Sequence, residues 1–394
     1  MSPAALTRVE RWTADVTTLV EQMQDIHPDL FHGVPEAMFD RAAGELIEAI
    51  PHLDDDEMLV GVMHLVAMIS AHGGDGHMGI WPPDNPDAVH RFPVRLWEFR
   101  DGVYVTAARQ PNADLEGARV LKVDGVPIDV VFERLDPVVP RDTPSNLRAA
   151  RMVFLTSAEV LTGLSISDDV GTMVLDVRMP DGDRRPVAID AVDAETYADW
   201  VGGWELLMPE RPGLDFLRDA QAQFRLDYLA AERTLDVRYQ VVREHSGGVV
   251  AAMREAMRDH PVDRIVLDLR NNGGGEAGGF RELLRFLVDQ RVPLVVLVGR
   301  LTFSAGSTLA LHLERRVPDA VFIGEAMGGA PAFWADPDTV TLPYSGLVAL
   351  VDSLFFRSPV PGDTRLQVQP GIAIPFTSAD YFAGRDPVLE RALP

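Results

Sequence analysis

Between Phe224 and Glu314 the chain switches its hydrophobic period repeatedly, and that alternation limits the possible folds more than any other feature. FRLDYLAAERTLDVRYQVV alternates as a β-hairpin does, GGVVAAMREAMRDH has helical spacing, and RIVLDLRNNGGG is a buried strand running into glycines. FRELLRFLVDQ is again helical. PLVVLVG is a continuous apolar run of the kind buried on both faces of a parallel sheet, and STLALHLE returns to a helix. Strands and helices in this order predict parallel βαβ units. Right-handed crossovers then bring the loop after LDLR and the loop after LVG to one edge of one sheet, so the glycines and Ser304 are expected to be neighbours.

Ser304 falls on the turn between PLVVLVG and STLALHLE. Such a turn exposes its tip, and the helix that follows offers unpaired N–H groups and a partial positive charge. That suits a hydroxyl nucleophile whose substrate develops an oxyanion. The structural alternative is that Ser304 or Ser307 caps the helix, as serines at such boundaries commonly do. NNGGG has neither a Lys-Ser/Thr pair nor the G-x-G-x-x-G spacing, so it is not a phosphate cradle. Consecutive glycines instead let the backbone approach a ligand and turn N–H groups toward it.

From about Arg8 to Ser70, VERWTADVTTLVEQMQDI, EAMFDRAAGELIEAI and DDDEMLVGVMHLVAMISA read as helices, broken at His27-Pro28 and at Pro51. The third ends in AHGGDGHMGI, whose glycines impose a tight turn around Asp75 and His77. His77 on that corner is a candidate base, with a surface or capping histidine as the plain alternative. His72 and His77 could face a metal across the glycines, but no helical His-Glu spacing accompanies them and no metal is expected. From Trp81 to Ala191 short strands take over. RFPVRLWEFRDGVYVTAA and ARVLKVDGVPIDVVFERL each carry a D-G turn and read as hairpins, TMVLDVRMPDGDRRPVAIDAV reads as a third, and LRAARMVFLTSAEVLTGL is helical. This β-rich insert suits a substrate-binding or PDZ-like module. The stretch holding Trp200 and Trp204 has no clear period.

Composition removes several classes. No cysteine is present, which excludes disulfides, thiolate metal sites and a cysteine nucleophile. A formal charge of −24 argues against a nucleic-acid or anionic-membrane surface. No apolar run is long enough to span a bilayer and the first residues lack an apolar signal core, so a soluble, unprocessed, cytoplasmic chain is expected. Lys122 is the only lysine and sits in an expected strand on a solvated face. A mechanism needing a lysine base must use it or be abandoned.

The motifs LDLRNNGGG, TFSAGS, GEAMGGAP, LPYSG and DYFAGRDPVLERAL, preceded by HPDLF and DGH, closely resemble in order and spacing the tail-specific, or C-terminal processing, serine peptidase family. The resemblance runs from about His27 to Leu393. It implies an α/β fold with a crotonase-like sheet-and-helix catalytic core over 201–394, an N-terminal helical domain over 1–80 ending in the DGH loop, and a β-rich, PDZ-like insert over 81–200. By position it makes Ser304 the nucleophile and Ala305 and Gly274 the oxyanion donors, with Gly273 replacing Gly274 if the register is one off. Many members use a Ser-Lys dyad, yet the corresponding region here has Gly328 and Gly329 and no lysine. Lys122 with an ordinary pKa near 10.4 is a poor base. Another branch, resembling the tricorn core and the Asp-Gly-His-containing peptidases, uses a histidine, and DGHM matches it. His77 then becomes the base, since an imidazole titrating near 6.5 can accept the Ser304 proton without tuning.

Asp75, Glu325 and Asp363 are all open as the residue orienting His77, because the tricorn-like pattern has a serine where this chain has Gly76. A further departure is QPGI at Gln369 to Ile372, where the family commonly reads Pro-Asp-Ile. The function expected is a serine hydrolase cleaving peptide bonds in a peptide or protein chain, without a cofactor. Two alternatives stand beside it: a non-catalytic ligand- or lipid-binding protein on the same fold, and a hydrolase or acyltransferase of a small ester or amide. Phe333, Trp334 and Tyr344 are candidates for a pocket lining or for core. Apolar faces on the N-terminal helices and the first core hairpin leave room for a homo-oligomer.

Overall fold

The computed structural model describes residues 6–71, 74–202, 208–219 and 222–394, so His72 and Trp204 lie outside the described residues. The three expected N-terminal helices are α1 (Arg8–Ile26), α2 (Glu36–Ala49) and α3 (Asp55–Ser70). α1 and α3 both start with a capping box, Thr7 with Glu10 and Asp54 with Glu57, which satisfies N–H groups the first turn would leave orphaned. α3 is apolar nearly all round, and most of it is buried. It delivers the chain to the DGH loop.

The insert contains β1 (Val94–Phe99), β2 (Gly102–Ala108), β3 (Arg119–Val123), β4 (Val126–Pro127), α4 (Ile128–Leu135), α5 (Pro144–Leu155), α6 (Ala158–Gly163), β5 (Thr172–Arg178), β6 (Arg184–Asp190) and α7 (Ala194–Val201). Its strands form an antiparallel sheet in the order β1-β2-β3-β5-β6, with β4 on β3. The hairpin expected over ARVLKVDGVPIDVVFERL is corrected. The D-G turn is there, with Asp124 and Gly125 both at positive φ, but its return arm is the two-residue β4. Pro127 has no N–H to give a ladder, and IDVVFERL folds as α4, burying Val131 and Leu135. Lys122 is exposed on β3 opposite Asp176 and is not among the residues around Ser304.

The remaining elements are β7 (Phe224–Leu229), β8 (Thr234–Tyr239), α8 (Gly247–Asp259), β9 (Arg264–Asp268), α9 (Arg281–Val288), β10 (Leu294–Val298), α10 (Ser304–Arg316), β11 (Val321–Gly324), β12 (Phe333–Thr341), β13 (Val348–Phe356), β14 (Ile372–Ala373), α11 (Ser378–Ala383) and α12 (Pro387–Ala392). The second sheet runs β14-β11-β10-β9-β8-β7, antiparallel between β7 and β8 and parallel elsewhere. Every residue of β10 is buried, as its unbroken apolar run requires. β9 and β10 are neighbours, so their C-terminal ends place the glycine loop beside Ser304.

A buried charge cluster fixes that edge. Arg270, just past β9, donates to both Asp386 oxygens at 2.8 and 2.7 Å and to Asp268 Oδ2 at 2.6 Å. Asp386 also caps α12 by accepting from the Leu389 N–H at 3.0 Å. The motifs LDLR and RDPVLERAL are thus two halves of one ion-pair network.

The hairpin β12–β13 connects this sheet to the N-terminal half. At its tip the Tyr344 and Ser345 N–H groups donate to buried Asp15 of α1 at 2.9 and 2.7 Å. Along its length Gly79 and Leu350 exchange backbone hydrogen bonds at 3.0 and 2.8 Å. Val340, Leu342, Leu347, Ala349 and Val351 join one apolar core with α1–α3 and the antiparallel sheet. A second core lies under the parallel sheet. Among the described residues no helix is long and apolar enough to cross a membrane.

Candidate active site

Ser304 is the first residue of α10 and has φ +50°, in the left-handed region that costs a non-glycine residue about 1 kcal/mol or more. The surrounding backbone holds it there. Phe303 N–H donates to Asn272 O at 3.0 Å, Thr302 Oγ1 to Leu269 O at 2.8 Å, and the Gly328 and Gly329 N–H groups both to Thr302 O at 3.0 Å. The capping alternative fails on geometry: the cap position is Phe303, no side chain caps α10, and the Ser307 hydroxyl turns inward to Thr302 O at 2.8 Å.

The expected contact with the glycine loop is present. Gly274 has φ +105°, and a Cβ there would sit 2.5 Å from Ser304 Cβ and 3.0 Å from both Ser304 Oγ and Ala305 N. Among the described residues no carbonyl accepts the Ala305 N–H, as the first turn of a helix allows. The Gly274 N–H is engaged, donating to Asn272 Oδ1 at 3.0 Å. Gly273 and Gly275 line the cavity in front of Ser304. The GEAMGGAP loop brings Gly329, not a lysine, to the other side: a Cβ there would be 3.3 Å from Ser304 N.

His77 lines the same cavity, whose volume is about 1120 Å³. Its ring is stacked between Phe303 at 4.6 Å and Phe333 at 5.5 Å, and Phe303 adjoins Ser304 in the chain. Both ring nitrogens are buried and, among the described residues, neither makes a hydrogen bond of good geometry, the Trp334 backbone carbonyl being the polar group beside the ring. No hydrogen bond joins them to Ser304. Burial pushes the imidazole down to about 4, with the Trp334 backbone and the Asp75 charge working the other way.

The three acids considered for His77 point elsewhere. Glu325 forms a fork with Arg300 at 3.2 and 3.3 Å, and Asp363 pairs with Arg365 at 2.7 Å. Asp75, fully buried, contacts His27 Nε2 and His32 Nε2, each at 3.0 Å, the second off the line of a good hydrogen bond. The close Asp75 carboxylate holds the His32 imidazole above its ordinary value. These three side chains converge closely enough to hold a metal ion. However, the Asp29 N–H donates to His27 Nδ1 at 3.1 Å, which leaves the His27 proton on Nε2, where a metal would need a lone pair. The cluster suits a hydrogen-bonded clasp on the DGH loop. Asp142 adds a second clasp, accepting from the Gly76 N–H at 2.6 Å and the Ala330 N–H at 3.3 Å, with burial pushing it up to about 7.

A fourth acid escaped the sequence reading. Asp352 of β13 is completely buried, and neither oxygen has a hydrogen-bond partner among the described residues. Burial raises it to about 8, Asp75 and Asp142 add to the rise, and the nearby Met78 N–H opposes it. Gly79 pairs with Leu350 in an isolated antiparallel bridge, and the N–H of Met78, next to His77 in the chain, lies near the Asp352 carboxyl. Asp352 also shares a strand face with Leu354 and Phe356, which line the cavity with His77. An acid among the apolar residues of VALVDSLFF was the signal available. Of the aromatic candidates, Phe333 lines the cavity, Trp334 is buried against His27 at 4.4 Å, and Tyr344 is exposed at the distant hairpin tip.

No family model and no curated protein sequence matches the chain. Among solved structures it is similar to mature CPAF complexed with lactacystin, at 13% identity over 95% of this chain and 96% of that one, with a TM-score of 0.63. A mutant of CPAF gives 13% identity, 95% coverage of both chains and a TM-score of 0.67. The photosystem II D1 C-terminal processing protease is 16% identical over 91% and 93% of the two chains, with a TM-score of 0.43. The likeness to CPAF shows a fold shared over almost the whole of both molecules.

Proposed function

We propose that the protein is a serine peptidase in which Ser304 attacks the substrate carbonyl and His77 accepts its proton and returns it to the leaving amine. The reading rests on one observation: an imidazole from the first fifth of the chain and a strained serine from the last third open into one cavity, next to a glycine loop and a free helix N–H. The tetrahedral oxyanion takes the Ala305 N–H and an N–H of the glycine loop, Gly274 once it releases Asn272, or Gly273 beside it. Each such donor is worth roughly 3 to 4 kcal/mol of barrier. Asp352 serves as the carboxylate that fixes the His77 tautomer: ionised, it accepts from Nδ1–H and leaves Nε2 open toward Ser304. The CPAF structures enter here as neighbours in fold, consistent with a peptide or protein substrate.

The test is labelling with a fluorophosphonate, together with hydrolysis of fluorogenic peptides. Wild type should label, and Ser304→Ala and His77→Ala should not. Equal labelling of either variant removes that residue from the mechanism. The Gly274 N–H committed to Asn272 favours a second reading, ligand retention without turnover. A carrier of that kind would keep its affinity in Ser304→Ala and would never consume its ligand.

A further inference from the structure

One wall of the cavity is basic, although the chain as a whole is strongly acidic. Ser304, Thr308, His312 and Arg316 follow at four-residue spacing along α10 and all line the cavity, a floor about 18 Å long at 1.5 Å per residue. α9 packs beside α10 and adds Arg281 and Arg285, one turn apart. Arg281, Arg285 and Arg316 are exposed, and among the described residues none forms an ion pair, although the chain carries a net charge of −24. The Arg281 guanidinium folds over the glycine loop, where a Cβ on Gly278 would lie 2.7 Å from its Cζ. The convergence is felt by His312: after burial, the charges of Arg316, Arg315 and Arg281 hold its imidazole below the ordinary value. Glu276 and Asp336 are the acids on the rim, on the glycine loop and the hairpin and not on this wall. The opposite wall is apolar, with Phe333, Leu354 and Phe356.

Resting on the peptidase reading, we propose that this cavity selects acidic peptide segments, with substrate carboxylates seated on Arg281, Arg285 and Arg316 and apolar side chains against the β12–β13 hairpin. An extended peptide advances about 3.3 Å per residue, so Arg316 meets a carboxylate roughly five to six residues from the reacting carbonyl. Arg281, above the glycine loop, serves a nearer one. The carboxylate is that of an Asp or Glu side chain or of a peptide C-terminus.

Binding to full-length Ser304→Ala, which cannot turn over, tests this separately from catalysis. Fluorescent ten-residue peptides of one apolar sequence would carry two glutamates, two glutamines or two lysines on either side of the centre, each as free acid and as C-terminal amide. Fluorescence anisotropy should rank glutamate above glutamine by about tenfold and lysine last, a preference shrinking as salt rises from roughly 50 to 300 mM. Adding Arg281→Gln and Arg316→Gln should bring the glutamate peptides to within about twofold of glutamine. A preference that survives amidation assigns side-chain carboxylates, and one lost on amidation assigns the C-terminus. Equal affinity for all charges, or an unchanged preference in the double arginine variant, overturns the proposal. If the preference holds while wild type neither labels nor hydrolyses any peptide, the peptidase reading falls and the carboxylate site stands.

Discussion

Replacing Asp352 by Asn tests the site and the fold together. In the folded chain Asp352 keeps its proton up to about pH 8, against an ordinary 3.8. Between those values the folded state binds one proton more than the unfolded state, so stability falls as pH rises, by about 1.4 kcal/mol per pH unit. By pH 7 the cost is on the order of 4 kcal/mol. Asn is close in shape and does not titrate. Asp352→Asn should therefore match wild type near pH 4 and exceed it by a few kcal/mol at pH 7, in urea unfolding read by tryptophan fluorescence at a series of pH values. Catalysis should move the other way. The productive arrangement needs Asp352 ionised, so wild-type kcat/KM is expected to rise through about pH 8. In Asp352→Asn it should be lower by about 10² to 10⁴ and flat across that range. Identical stability slopes in the two proteins would refute the buried neutral carboxyl. A wild-type rate already flat from pH 5 upward would refute its service to His77.

The other predictions concern neighbouring groups. His77 has the opposite sign: its folded pKa is depressed to about 4, so stability rises with pH up to its unfolded value near 6.5. His77→Gln should be more stable than wild type at pH 4.5 by roughly 2 to 3 kcal/mol and similar at pH 7, while losing phosphonate labelling. Ser304→Gly should remove the strain of φ +50°, raise stability by about 1 kcal/mol in thermal unfolding, and abolish labelling; a lower Tm would show that the serine is not strained. Gly274→Ala forces a Cβ to within 2.5 Å of Ser304 Cβ at φ +105° and should cost roughly 1 to 3 kcal/mol with loss of labelling. Wild-type labelling in that variant would show that the loop can move away from the serine. Asp386→Ala leaves Arg270 with half of its buried partners and removes the α12 cap, for an expected loss of about 3 to 5 kcal/mol; a loss under 1 kcal/mol would mean that water reaches the cluster.

Much of the second half of the chain was legible without coordinates. A run such as PLVVLVG followed by STLALHLE writes its strand and helix into a local period, and the order of such units dictates a parallel sheet with its loops on one edge. That reasoning alone placed Ser304 beside the glycines. It misread IDVVFERL because a β-branched run beginning just after a D-G turn satisfies strand and helix patterns alike. Only the packing of Val131 and Leu135 decides between them.

The sequence by itself determined the alternating core, the helical N-terminus, the turn that presents Ser304 and the absence of a lysine that could serve it. Tertiary structure alone decided that the β12–β13 hairpin returns to α1 and the DGH loop, that Phe303 and Phe333 enclose His77, and that the buried Asp352 comes next to the DGH loop at Met78. The physical reason is range. Backbone period and turn chemistry act over a few residues and leave a local trace, whereas the Gly79–Leu350 pairing and the shared burial of His77 and Asp352 join segments from opposite ends of the chain, and nothing in either segment records its partner.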